Sequence, residues 1–101
     1  MKLNLFRPLC FFDLETTGIN ITNDRIVEIG ILKIFPDGKT KEINKLVNPE
    51  MTIPKEVSDI HGITNEKVDF MPTFKQISKE IYSFIQDSDL AGFNSDRFDI
   101  P

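Results

Sequence analysis

The feature that most constrains the fold is Leu9-Cys10-Phe11-Phe12-Asp13-Leu14-Glu15, an apolar run leading straight into two carboxylates two residues apart. The continuous apolar stretch after Pro8 predicts a strand buried on both faces, as in the middle of a parallel or mixed sheet. Side chains two apart on a strand point to the same face, so Asp13 and Glu15 project together from the strand's end. Burying one uncompensated charge is costly, and burying two of like sign costs more. No Lys or Arg adjoins them in sequence. A divalent cation is therefore the economical partner, and hard carboxylate oxygens suit Mg²⁺ or Mn²⁺. The plainer reading is that Glu15 reaches solvent while Asp13 accepts bonds from the Thr16 or Thr17 backbone. A lone D-x-E leaves that reading ahead. The full string Phe-Phe-Asp-Leu-Glu-Thr-Thr-Gly over 11–18 is much more specific.

The rest of the chain supplies a sheet and helices around that strand. Arg25 to Phe35, rich in Ile and Val, predicts a second strand. Pro36-Asp37-Gly38-Lys39 predicts a turn, since Pro presets φ and Gly accepts positive φ. Thr40 to Val47 then returns as a third, antiparallel strand, its charged residues suiting a protected edge. The middle reads as loop and short helix, punctuated by Pro49 and Pro54, with Gly62 a turn or helix stop. Thr64 can cap a short helix, with Ile63 and Val68 as a hydrophobic staple. Thr73 and Gln76 have the capping-box spacing, and Phe74, Ile77, Ile81, Phe84 and Ile85 recur at helical spacing. Thr73 to Gln86 is therefore a helix with one buried face. Leu90 to Phe93 predicts a short buried strand, and Asn94 or Ser95 can cap a helix starting near Asp96.

Composition bounds the rest. With 101 residues and 40% apolar content, the chain is one small domain with a core. A net charge of −4 argues mildly against a nonspecific duplex binder. It leaves room for an enzyme whose metal ions supply the positive charge. The single Cys10 excludes an intrachain disulfide framework and fits a reducing cytosol. No apolar run approaches a membrane span, the start carries no signal-peptide pattern, and no internal repeats occur. The expected setting is cytoplasmic.

The string at 11–18 resembles the first motif of the DEDD exonuclease superfamily, in its His-type (DEDDh) branch. It is similar to the proofreading epsilon subunits of bacterial DNA polymerase III and to the RNase-T-like enzymes. Arg25-Ile26-Val27-Glu28-Ile29-Gly30 resembles the family's second strand, and Ile60-His61-Gly62-Ile63-Thr64 its substrate-side loop. Gly92-Phe93-Asn94-Ser95-Asp96-Arg97-Phe98-Asp99 resembles its second motif. The resemblance runs in order through essentially the whole chain.

That resemblance implies a ribonuclease-H-like α/β fold, a mixed sheet with flanking helices, its C-terminal part missing. Residues 1–101 are then the N-terminal portion of a single exonuclease domain. Asp13, Glu15 and Asp99 would be three of four metal-binding, catalytic carboxylates, holding two Mg²⁺ or Mn²⁺ ions in the complete enzyme. Thr16 would lie beside the terminal nucleotide, and Glu56, His61 and Asn94 would contact the substrate. Glu28 reads as an acid in solvent or one step removed from the metal. The family's third motif, with its general-base His and fourth carboxylate, has no match here, and His61 belongs to the middle loop rather than to that role. The implied activity is release of nucleoside 5′-monophosphates from nucleic-acid 3′ ends, with a single-stranded or frayed DNA end as partner and a DNA polymerase as a further candidate. The fragment alone is expected to be inactive. Two rivals stand beside it: a degenerate module that only binds nucleic acid or a polymerase, and an exoribonuclease.

Overall fold

The computed structural model of the chain describes residues 6–18 and 24–94, the last two by their backbone alone. Among the described residues seven elements run β1 (Leu9–Thr16), β2 (Ile26–Ile34), β3 (Thr40–Leu46), α1 (Lys55–His61), α2 (Asn65–Val68), α3 (Phe74–Ile85) and β4 (Asp89–Asn94). The strands form one sheet in the order β3-β2-β1-β4. β1 pairs antiparallel with β2 and parallel with β4, and β2 pairs antiparallel with β3. The expected mixed sheet is therefore present, with the carboxylate-bearing strand in its interior and the charged β3 at its edge.

One face of the sheet is closed by α3. Cys10, Ile29, Ile31, Val47, Ile77 and Ile81 form its buried cluster, with Phe12, Leu14, Ile26, Ile43, Phe84 and Ile85 packed against it. The helix begins where its sequence says it should. The Thr73 side chain accepts from the Gln76 N–H, and the Gln76 side chain accepts from the Thr73 N–H, so a capping box satisfies two orphan donors. Lys33 reaches across this face to the other end of α3. Its ammonium donates to the Phe84 carbonyl and to Asp87, each at 2.7 Å, and lies near the rings of Phe35 and Phe84.

The other face carries α1 and α2. Val27, Ile53, Ile63 and Val68 form a second cluster, joined by Leu46 and Val57. Ile63 and Val68 pack together here as the staple requires. Thr64 takes the N-cap position of α2, but its side chain makes no capping bond. Gly62 ends α1 in the left-handed region at φ 76°, where its N–H reaches the Ser58 carbonyl at 2.7 Å.

Three expectations need correction. Phe74 shares the helical spacing of the core face, yet it is 43% exposed, because it occupies the first turn and leans over a surface cleft lined by Asp24, Ile26, Val47 and Asn48. The strand after Ser88 forms, but Leu90 is 62% exposed rather than buried. Among the described residues β4 is an edge strand, and Phe12, Leu14, Leu90, Ala91 and Gly92 line an open groove of about 490 Å³ beside it. Glu28, read as solvated or one step removed from a metal, is not solvated: it is 8% exposed. The helix expected from Asp96 lies outside the described residues.

Candidate active site at the end of the first strand

Cys10, Phe12 and Leu14 face α3, so strand alternation sends Asp13 and Glu15 to the opposite face. Asp13 is only 4% exposed. Its cross-strand partner on β2 is Gly30, which has no side chain to fill the space beside the carboxylate. Glu15 pairs with Glu28, which adds a third carboxylate to the same face. On the other side, the Asn94 backbone pairs with Asp13, bringing the start of the second motif alongside the first. The Asn94 side chain and all of Asp99 lie outside the described residues.

The ladder slips immediately after Glu15. Its partner is Glu28, but the partner of Thr16 is Ile26, leaving Val27 as an extra residue. This is a β-bulge, a device that re-aims side chains at strand ends. Its effect is visible in the packing. Ile26 joins the α3 cluster while its neighbour Val27 joins the cluster on the carboxylate face.

Beyond the bulge the chain is tied down. Thr17 is fully buried, and its N–H donates to the Arg25 carbonyl at 2.8 Å. Its hydroxyl donates to Asp24 Oδ1 at 2.8 Å and accepts from the Arg25 N–H at 3.0 Å. The Thr16 hydroxyl is bonded to the Gly18 carbonyl. A Cβ on Gly18 would sit 2.5 Å from Asp24 Oδ2, so only glycine lets the Asp24 carboxylate approach so closely.

The middle loop meets this same strand end. His61 Nε2 lies 3.1 Å from the Thr16 carbonyl oxygen, and His61 Nδ1 is 3.1 Å from the Ile63 N–H. Glu56, in the first turn of α1, is exposed. Asp13, Glu15, Thr16 and His61 thus gather at one end of β1, with Glu56 on the helix that leads into His61. Sequence reasoning missed the burial of Glu28 opposite Glu15 and the role of Asp24 as the anchor of Thr17. The first could have been read by aligning the two strands antiparallel. The second had no local signal.

The donor set has the right chemistry for a hard cation, since every ionisable group on this face of β1 and its β2 partner is a carboxylate. Among the described residues no group of three His, Cys, Asp or Glu side chains is arranged to hold a metal ion. Among the described residues, too, no helix is long and apolar enough to cross a membrane.

Residues 10–101 match the family model described as Exonuclease, RNase_T. The chain is 34% identical over 104 residues to DNA polymerase III subunit epsilon of Buchnera aphidicola subsp. Schizaphis graminum, covering 97% of this chain and 44% of that protein. It is similar in structure to exonuclease X solved in complex with 5′ overhanging duplex DNA, with a TM-score of 0.64 and 31% identity, over 73% of this chain and 43% of that one. Cell-death related nuclease 4 matches with a TM-score of 0.70 at 20% identity, over 86% of this chain and 35% of that one. The fold is the ribonuclease-H-like α/β architecture of these exonucleases. The chain spans less than half the length of each of these relatives.

Proposed function

Because this chain belongs to the RNase T exonuclease family, we propose that it contributes the N-terminal portion of a metal-dependent 3′→5′ exonuclease domain. The reaction is hydrolysis of the terminal phosphodiester at a DNA 3′ end, releasing a nucleoside 5′-monophosphate. One observation carries this reading. Asp13, buried and facing a glycine, and Glu15, two residues on, occupy one face at the end of an interior strand, beside a loop that bonds to the next residue.

Asp13 and Glu15, with Asp99, are the residues that would hold Mg²⁺ or Mn²⁺. The ions, when bound, supply the positive charge that phosphodiester hydrolysis needs at the scissile phosphate. The chain's own contribution is orientation. The buried β1 backbone fixes Asp13, the bulge and the Thr17–Asp24 bond fix where β1 ends, and Thr16 presents its backbone at the point where a terminal nucleotide would lie. Glu56 and Asn94 would complete the substrate side of the site, while both ring nitrogens of His61 are taken up by backbone groups of Thr16 and Ile63. Asp13, Glu15 and Asp99 leave a general base and a fourth carboxylate still to be supplied, and the apolar groove beside β4 is open for a further element to cover.

DNA is the favoured substrate because relatives include a DNA polymerase III subunit and an exonuclease solved with DNA. The same relationship supports a DNA polymerase as partner and a cytoplasmic setting. The test is release of 5′-mononucleotides by the full-length protein from matched DNA and RNA single strands, with Mg²⁺ or Mn²⁺. Preferential cleavage of RNA would reassign the substrate. Binding of either strand without cleavage would favour a non-catalytic module.

A further inference from the structure

We propose that His61 is a positioning residue, a strut that fixes the end of the carboxylate strand against the packed α1–α2 unit. The proposal rests on the exonuclease reading above and deepens it. A neutral imidazole has one N–H and one acceptor nitrogen. The Ile63 backbone N–H can only donate, so Nδ1 is the acceptor in the 3.1 Å contact between them. The proton therefore sits on Nε2, which donates it to the Thr16 carbonyl at 3.1 Å. Both polar atoms of the ring are thus used by backbone groups, 45 residues apart in the case of Thr16.

The strut is anchored at both ends. Ile63 is 4% exposed and belongs to the apolar cluster with Val27, Ile53 and Val68. Gly62, at φ 76°, turns the chain so that the Ile63 N–H comes back to the ring of His61. The Gly62 carbonyl accepts from the Lys67 ammonium at 2.9 Å, and the Ile63 carbonyl from the Ser58 hydroxyl at 2.7 Å. At the other end, Thr16 follows Glu15 directly and lies just past the bulge, where the ladder has slipped and holds the strand less uniformly. The imidazole supplies a fixed distance at that point. It ties the substrate-side loop and the carboxylate strand into one body, so a terminal nucleotide would meet both in a single geometry. Small displacements of this kind act on the reacting geometry more than on the grip on the substrate.

The side chains that test this differ in which nitrogen they mimic. The Gln amide nitrogen reaches the place of Nε2, whereas the Asn amide oxygen reaches only that of Nδ1. In the full-length protein, His61→Asn should keep the Ile63 bond and lose the Thr16 bond. It should lower kcat about tenfold or more, with KM nearly unchanged. His61→Gln should recover most of that loss. A rise in KM shared by both variants, with kcat intact, would mean that the ring meets the substrate and would overturn the proposal. Equal activity of the Asn variant and wild type would also overturn it. A second measurement needs no activity: the imidazole nitrogen spectrum of the ¹⁵N-labelled full-length protein. The Nε2–H tautomer is expected, and a protonated Nδ1 in the neutral ring would refute the strut. Should the wild-type protein cleave nothing, the exonuclease reading fails, while the tautomer still decides the strut.

Discussion

Glu15 on β1 stands directly opposite Glu28 on β2, so two carboxylates face each other on the surface that also bears Asp13. Glu28 is 8% exposed, so its side chain sits within the sheet face rather than in bulk water. A cation bound at this face would draw on its carboxylate as well as on those of Asp13 and Glu15. In the full-length protein, Glu28→Gln should therefore shrink the rise in Tm that Mg²⁺ produces over EDTA. The measurement is thermal unfolding with and without metal. An unchanged metal-dependent rise would show that Glu28 does not act on the site.

Gly18 and Asp24 are coupled through space. A methyl at Gly18 would strike the Asp24 carboxylate, whose other oxygen accepts the buried Thr17 hydroxyl. Gly18→Ala should cost about 1–3 kcal/mol, the range for forcing extra volume into a packed site. Adding Asp24→Ala removes the atoms struck, so the double variant should lose less than the sum of the two single losses. Denaturant unfolding of all four proteins checks this. Strict additivity would contradict the contact.

How much of this was legible in sequence follows from how local each cause is. The capping box at Thr73 and Gln76 and the Ile77–Ile81 stripe lie within one helix, and both form as their spacing implies. The turn at Gly38, with φ 89°, is local too. α1 buries none of its residues, so it leaves no apolar period to read. The bulge at Val27 is hidden because Ile26 and Val27 are both apolar, and each packs into a different cluster. The shared face of Asp13 and Glu15 was legible because both lie on one strand. The His61–Thr16 bond joins residues 45 apart, and no local pattern encodes it.

Lys33 and Asp87 give the fold a pH dependence of definite sign. The hydrogen bond from the Lys33 ammonium holds the Asp87 carboxyl below its ordinary value of 3.8; a small loss of hydration opposes this, and the Ser88 hydroxyl adds to it. A carboxyl depressed in the folded state contributes stability above its unfolded pKa. That contribution is lost as pH falls below about 3.8 and through the lower folded value. Asp87→Asn should therefore lower stability at neutral pH and flatten its decline in acid. Tm measured across that pH window decides it. Parallel acid limbs in the two proteins would contradict the linkage.

Asp13 and Glu15 are proposed as the metal-binding end of a 3′→5′ exonuclease site. The most direct test is release of 5′-mononucleotides from a labelled single-stranded DNA, comparing the full-length protein, its Asp13→Ala variant and the 101-residue chain. Mg²⁺- or Mn²⁺-dependent release by the full-length protein is expected. Asp13→Ala should lose roughly 100-fold or more, since even groups behind a metal ligand cost about 10–100-fold when removed. The 101-residue chain should give little or no release. Undiminished release by Asp13→Ala, or robust Asp13-dependent release by the short chain, would contradict this proposal.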